Sequence, residues 1–130
     1  MGAAEYINGM PATQFFGMEI TDAEDGHATG QLAFAPEKCF ETSEGPVLHG
    51  AMSFALADTV AAAAVMSHFE EPQPAYTIDM RIDYMDAARS DLTAEAEVLR
   101  FGSAVGVADV AVEDADGDPV VVARGTFRSA

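Results

Sequence analysis

The sequence predicts an α+β fold, an antiparallel β-sheet wrapped around one long central helix, in the order β-β-α-β-β-β-β. Three observations predict it: an alanine-rich run with no Gly or Pro after Gly50, alternating apolar and polar residues beyond it, and an Asp-Gly pair between two strand-like segments before it. One helix covers only one face of a sheet. Edge strands and leftover apolar surface are therefore expected to be completed by a second copy of the chain.

The elements follow in order. Residues 1–16 carry weak periodicity and read as a leading segment with a short helix. "GMEITDAEDGHATGQLAFAP" reads as a hairpin turning at Asp25-Gly26, because this pair tolerates the positive φ of a tight turn. Residues 36–48, with two prolines and no clear period, read as an ordered connecting loop. From about His49 to Phe69 the alanine content predicts a helix, and one apolar all round is expected to be buried. "EEPQP" ends it. In "TIDMRIDY", Ile78, Met80, Ile82 and Tyr84 alternate with polar residues, as a strand with one face on a core does. "LTAEAEVLRF" and "AVGVADVAVED" are further strands, and "DADGD" turns into the last, "PVVVARGTFRS".

At 130 residues the chain is expected to be one domain, 1–130. Its 22 acidic residues against 6 basic ones give a formal net charge of -16. That surface repels a nucleic-acid duplex or an anionic bilayer, so neither is an expected partner. The single lysine, Lys38, and the acid excess also fit a salt-rich medium. Cys39, the one cysteine, has no disulfide partner and no metal-ligand cluster around it, which points to a reducing, cytoplasmic compartment. "MGAAEYINGMP" lacks the basic and apolar regions of a secretory signal, and Gly50 to Met66 is too rich in Ala and too interrupted for a membrane span.

The interruption is Asp58. An ionised carboxylate in apolar surroundings costs several kcal/mol unless it is paired, and the same desolvation raises its pKa and makes it a stronger base. It is either a working group or a structural acid bonded to Thr59 or to an arginine across an interface. Ala51 lies on nearly the same helix face, roughly 10 Å away along the axis. The backbone N–H groups at the helix start suit a developing oxyanion, yet Asp58 is too distant to serve a carbonyl held at its own helix start. Two such helices lying antiparallel across a dimer axis bring the start of one near Asp58 of the other.

"GPVLHGAMSFALADTVAAAA" followed by "YTIDMRIDYMDAAR" resembles the signature of the PaaI-type (phenylacetate-pathway) thioesterases of the hotdog superfamily. That pattern has an HGG at a helix start, an Asp nine residues after the His, and a strand like S-x-D-x-x-x-x-Y. The resemblance runs from about residue 17 to the C-terminus. It implies an acyl-CoA thioesterase acting as a homodimer or homotetramer without metal or cofactor, coenzyme A entering only as part of the substrate. It assigns Asp58 as nucleophile or general base and the Ala51 N–H as the group polarising the carbonyl. His49 and Gly50 would shape the turn, and Thr77 matches a Ser that orients water. Ala51 replaces the second Gly of the motif. An Asn usual about six residues before the His is missing, where the chain reads Ser43-Glu44-Gly45 and Ser43 is the available donor. Loss of such a donor costs on the order of 100-fold in rate.

Other constellations carry less. Cys39 with His49 would make a thiol–base pair, but a lone cysteine is more often an inert side chain. His27 follows a turn and His68 ends the helix, where both read as structural. No serine-hydrolase elbow or phosphate loop is present, and "DADGD" does not fit a calcium loop. Coenzyme A is anionic, and Arg89 and Arg100 are the residues expected to meet it, with salt bridging to nearby acids as the alternative. Met52, Phe54 and residues of the first loop are expected to line an acyl pocket formed at the dimer interface. Two rival functions remain at this level: a hotdog enoyl-CoA hydratase or dehydratase, and a non-catalytic acyl-CoA binder.

Overall fold

The computed structural model describes residues 1–129. Two short helices open the chain where one was expected, α1 (Ala3–Asn8) and α2 (Pro11–Phe16). Pro11 supplies the fixed φ of a first helical position, and Gly17 at φ 71° ends α2 in the left-handed conformation. The first hairpin follows as predicted, β1 (Met18–Glu24) and β2 (His27–Leu32). Asp25 and Gly26 have φ of 52° and 80°, the two positive values of a type I′ turn.

Residues 36–48, expected to be a loop, form a 3-10 turn (Pro36–Lys38) and a two-stranded ribbon, β3 (Cys39–Thr42) and β4 (Gly45–Leu48). Proline concealed it. Pro46 stands opposite Glu41 in a ribbon with no further strand beside it, a setting in which the missing N–H costs little.

The long helix is α3 (Gly50–Met66), followed by β5 (Thr77–Tyr84), β6 (Leu92–Phe101), β7 (Val105–Glu113) and β8 (Pro119–Arg128). The main sheet is antiparallel with the order β1-β2-β6-β7-β8-β5, and α3 touches all six strands. This is the hotdog arrangement. The predicted order of six strands around one helix holds, with the small ribbon added before α3.

Small residues set the helix close to the sheet. Leu56, Val60, Ala64 and Val65 are fully buried against Ala28, Leu92 and Ala108. A Cβ on Gly30 would fall 2.7 Å from Val60 Cγ2, so only glycine allows this approach. The helix is not buried all round, however: Ala55, Asp58, Thr59 and Ala62 form a half-buried stripe that faces the leading helices and the start of β5. On β5, Met80 and Ile82 pack on the core, while Ile78 and Tyr84, expected on the same face, are 58% and 52% exposed. A register shift between Thr77 and Asp79 turns Ile78 out. β5 is a sheet edge.

Among the described residues no helix is long and apolar enough to cross a membrane. The outer face of the sheet is charged, with Arg124 forked onto Asp109 at 2.6 and 3.0 Å and His27 Nε2 2.7 Å from Glu95. These pairs offset little of a net charge of -16, so self-repulsion should be eased by salt, whose screening length falls from about 10 Å at 0.1 M to about 3 Å at 1 M. The melting temperature is expected to rise by about 5 °C or more over that range. A scanning-calorimetry series in KCl checks this, and a flat series means that the attractive pairs lose as much as the repulsion does.

Candidate active site

The start of α3 is organised by its own residues. His49 is the N-cap, and its Nδ1 accepts the Ala51 N–H at 3.0 Å. The bond places the proton of a neutral ring on Nε2. From β5, the Tyr84 hydroxyl donates to the Gly50 carbonyl at 2.7 Å, and a Cβ on Gly50 would sit 3.3 Å from the Tyr84 ring. Gly50 thus favours close contact with Tyr84, which ties the end of β5 to the helix start.

Two turns along the helix, Asp58 Oδ1 accepts a hydrogen bond from Thr77 Oγ1 at 2.6 Å. Within the chain it is Thr77, and not the adjacent Thr59, that makes this contact. Burial pushes the Asp58 carboxyl above its ordinary value, and the Thr77 bond opposes that rise without cancelling it. Among the described residues, Asp58 is the only ionisable side chain on a cavity of about 260 Å³. Its walls come from three separate parts of the chain: Met10 and Phe16 of the leading segment with Met18, then Ala55, Ala62 and Met66 of α3, and Pro74 and Ala75 before β5. Met52 and Phe54, expected to line the pocket, do not reach this cavity; Met52 packs against the core instead. A wider hollow of about 770 Å³, lined by both charged and apolar residues, lies on the outer sheet face, but its charged groups largely pair with one another there.

A carboxylate that is half-buried, held by one hydroxyl and opening on an apolar cavity has the chemistry of a general base for water. A family model described as the thioesterase superfamily matches residues 45–121, the span from β4 into β8. The chain belongs to the thioesterase superfamily. It is 37% identical over 134 residues to a Halobacterium salinarum protein named as a candidate esterase, covering 95% of this chain and 87% of that one. A crystal structure of another thioesterase-superfamily protein matches with a TM-score of 0.87 at 28% identity, covering 97% and 94% of the two chains. A hypothetical thioesterase of Streptococcus pneumoniae, solved with coenzyme A, matches at 0.73 and 25% identity over 85% and 84%. Membership supports thioester hydrolysis as the general chemistry.

Within this thioesterase-superfamily chain the predicted residues fall into separate groups. Asp58 and Thr77 meet directly, although the Thr77 hydroxyl is bonded to the acid rather than left to a water. His49, Gly50 and Ala51 form the second group at the helix start, with the Ala51 N–H engaged by its own neighbour. Ser43 is exposed at the tip of the β3–β4 ribbon, where Thr42 Oγ1 organises the turn by donating to the Gly45 carbonyl at 2.8 Å. Arg89 lies beside that tip, its guanidinium 3.4 Å from the Glu44 carbonyl and 3.6 Å from the Glu44 carboxylate. Arg100 stands at the far end of β6, roughly 25 to 30 Å away at the rise of a strand. The two arginines do not form one patch in a single chain. Tyr84 and the leading segment were missed as site elements; the Tyr of the strand motif was the available signal for the first.

Proposed function

We propose that the protein is a cytoplasmic acyl-CoA thioesterase of the PaaI type, working as a homodimer or a pair of dimers with shared sites. The observation that carries this reading is Asp58, the one ionisable group on an apolar cavity. In this mechanism the thioester oxygen is held by the Ala51 N–H at the partner's helix start, where it takes the N–H from the His49 ring. Asp58 removes a proton from water, the water oxygen bonds to the carbonyl carbon, and the C–S bond breaks. The thiolate of coenzyme A leaves and takes up the proton held by Asp58. Thr77 is a positioning residue for the acid, and Tyr84 is one for the helix start. No metal or cofactor is called for.

The edge strand β5, with Tyr76, Ile78, Tyr84 and Met85 exposed, supports pairing with a second copy. Coenzyme A as part of the substrate is supported by the S. pneumoniae relative solved with that molecule, and Arg89, on the helix-start side, is assigned to its phosphates. Arg100 and Ser43 have weaker support, Arg100 for its distance from Arg89 and Ser43 for its exposed place in the turn.

The test is thiol release from a panel of acyl-CoAs, followed across pH. Asp58 must be ionised to accept a proton, so activity falls as pH drops through its raised pKa, and the acid limb of kcat/KM lies above the ordinary Asp range. Thr77→Val removes the one bond that lowers this pKa, and the limb should move to higher pH. An unmoved limb would show that another group sets it. Hydration of an enoyl-CoA without thiol release would replace the reading with a hydratase.

A further inference from the structure

We infer that the leading helices α1 and α2 are a specificity cap, which closes the cavity beside Asp58 around a linear acyl chain of medium length. The inference rests on the thioesterase reading and names its substrate class. It starts from the shape of the cavity. Ala55, Asp58, Thr59, Ala62 and Met66 all line it, at the 3–4 residue spacing of one helix face. The space therefore runs along α3, and from Asp58 to Met66 that is roughly 12 Å at 1.5 Å per residue. An extended carbon chain advances roughly 1.3 Å per carbon for tetrahedral bonds of standard length, so the trough suits a tail of about nine carbons. A single ring would fill less than the length.

The walls agree with this class. Met10, Met18 and Met66 supply flexible, polarisable surface that moulds to an alkyl chain. Asp58 stands toward one end and, among the described residues, no other charged group lines the space, so a charged acyl tail finds no counter-charge there.

The cap has a defined hinge-side attachment. Asn8 Nδ2 donates to the Ile20 carbonyl at 2.9 Å, and its Oδ1 accepts the Ile20 N–H at 2.8 Å. One side chain thus pairs with both backbone groups of a β1 residue, as a neighbouring strand would. Buried Ala3 and Ile7 add apolar contact to the same attachment. Beyond it, α2 brings Phe16 over the cavity while Phe15 points out, 82% exposed. Met10 and Phe16 are the residues assigned as the gauge of chain length.

The experiment compares hydrolysis of butyryl-, hexanoyl-, octanoyl-, decanoyl- and dodecanoyl-CoA by the wild type, Met10→Ala, Phe16→Ala and Ala62→Leu. The wild type is expected to favour octanoyl- or decanoyl-CoA. Ala62→Leu, which narrows the trough one turn beyond Asp58, should lower the decanoyl-to-butyryl ratio of kcat/KM about tenfold. Met10→Ala and Phe16→Ala should move the optimum to longer chains. An identical profile in all four folded proteins overturns the assignment and leaves the thioesterase reading intact. Should the wild type release no thiol, that reading fails, and the cavity is judged by thermal stabilisation with S-decyl-CoA, a thioether that cannot be hydrolysed. Stabilisation that weakens in both Ala62→Leu and Phe16→Ala supports the cap and its ligand class; stabilisation unchanged in Phe16→Ala, or none of the wild type, overturns them.

Discussion

Asp58→Asn is expected to lower kcat/KM by about a hundredfold to ten-thousandfold, the usual contribution of a positioned general base, while making the folded protein more stable at neutral pH. Both effects come from the same burial. Desolvation holds the Asp58 pKa above its ordinary value, so the folded state binds this proton more tightly than the unfolded one. The stability it contributes is full below the unfolded pKa and is lost as pH rises through the folded one. At neutral pH the ionised acid is therefore a burden on folding. Asparagine keeps an oxygen to accept the Thr77 hydroxyl, carries no charge to desolvate, and cannot take a proton from water. Steady-state kinetics and urea unfolding at two pH values check the pair of expectations. The gain in stability should be present at pH 7 and should shrink in acid, where the wild-type carboxyl is protonated as well. A stability gain without loss of activity would make Asp58 a structural acid; loss of both would mean that the substitution damages the helix packing itself. The trade of stability for activity at one residue is common in active sites.

Much of this was legible in the sequence because the signals were local. The Asp25-Gly26 turn, the alanine-rich α3 and the period-two strands each declare themselves within a few residues, and an acid inside an alanine run is visible without a fold. The leading segment was not legible: helices of six residues are too short to be stable alone, and these are held by Asn8 reaching twelve positions ahead to Ile20. The β3–β4 ribbon was hidden by Pro46, which ordinarily argues against a strand. The cavity was out of reach for a related reason. Its walls come from residues 7–18, 55–66 and 74–77, and none of these stretches has a pattern that reveals a shared space. Met52 and Phe54, expected on a pocket formed between two copies of the chain, lie off the stripe that Asp58 occupies and are not among the walls of this cavity within one chain.

A mixture of two inactive variants should recover about a quarter of wild-type activity, if the site is shared as proposed. One variant is Asp58→Asn, which lacks the base. The other is Ala51→Pro, which removes the N–H at the second helical position, and with it the His49 cap bond, at a place in the first turn where proline is tolerated. Each pure homodimer has a defect in both sites. When subunits exchange at random, half of the dimers are hybrids. In a hybrid, one site combines both defects, while the other joins an intact helix start to an intact Asp58. The expected recovery from near background is large enough to read in a simple thiol-release assay after the variants are unfolded and refolded together. Size-exclusion chromatography of each parent establishes that the dimer survives its substitution. If the two groups acted within one chain, no mixture would contain an intact site and the activity would remain the average of the parents. That outcome would demand a substrate carbonyl spanning the seven residues between Ala51 and Asp58, roughly 10 Å along α3, which is far longer than the approach of a water to a carbonyl carbon. Recovery in the mixture would instead make the acid of one chain and the helix start of the other the working unit.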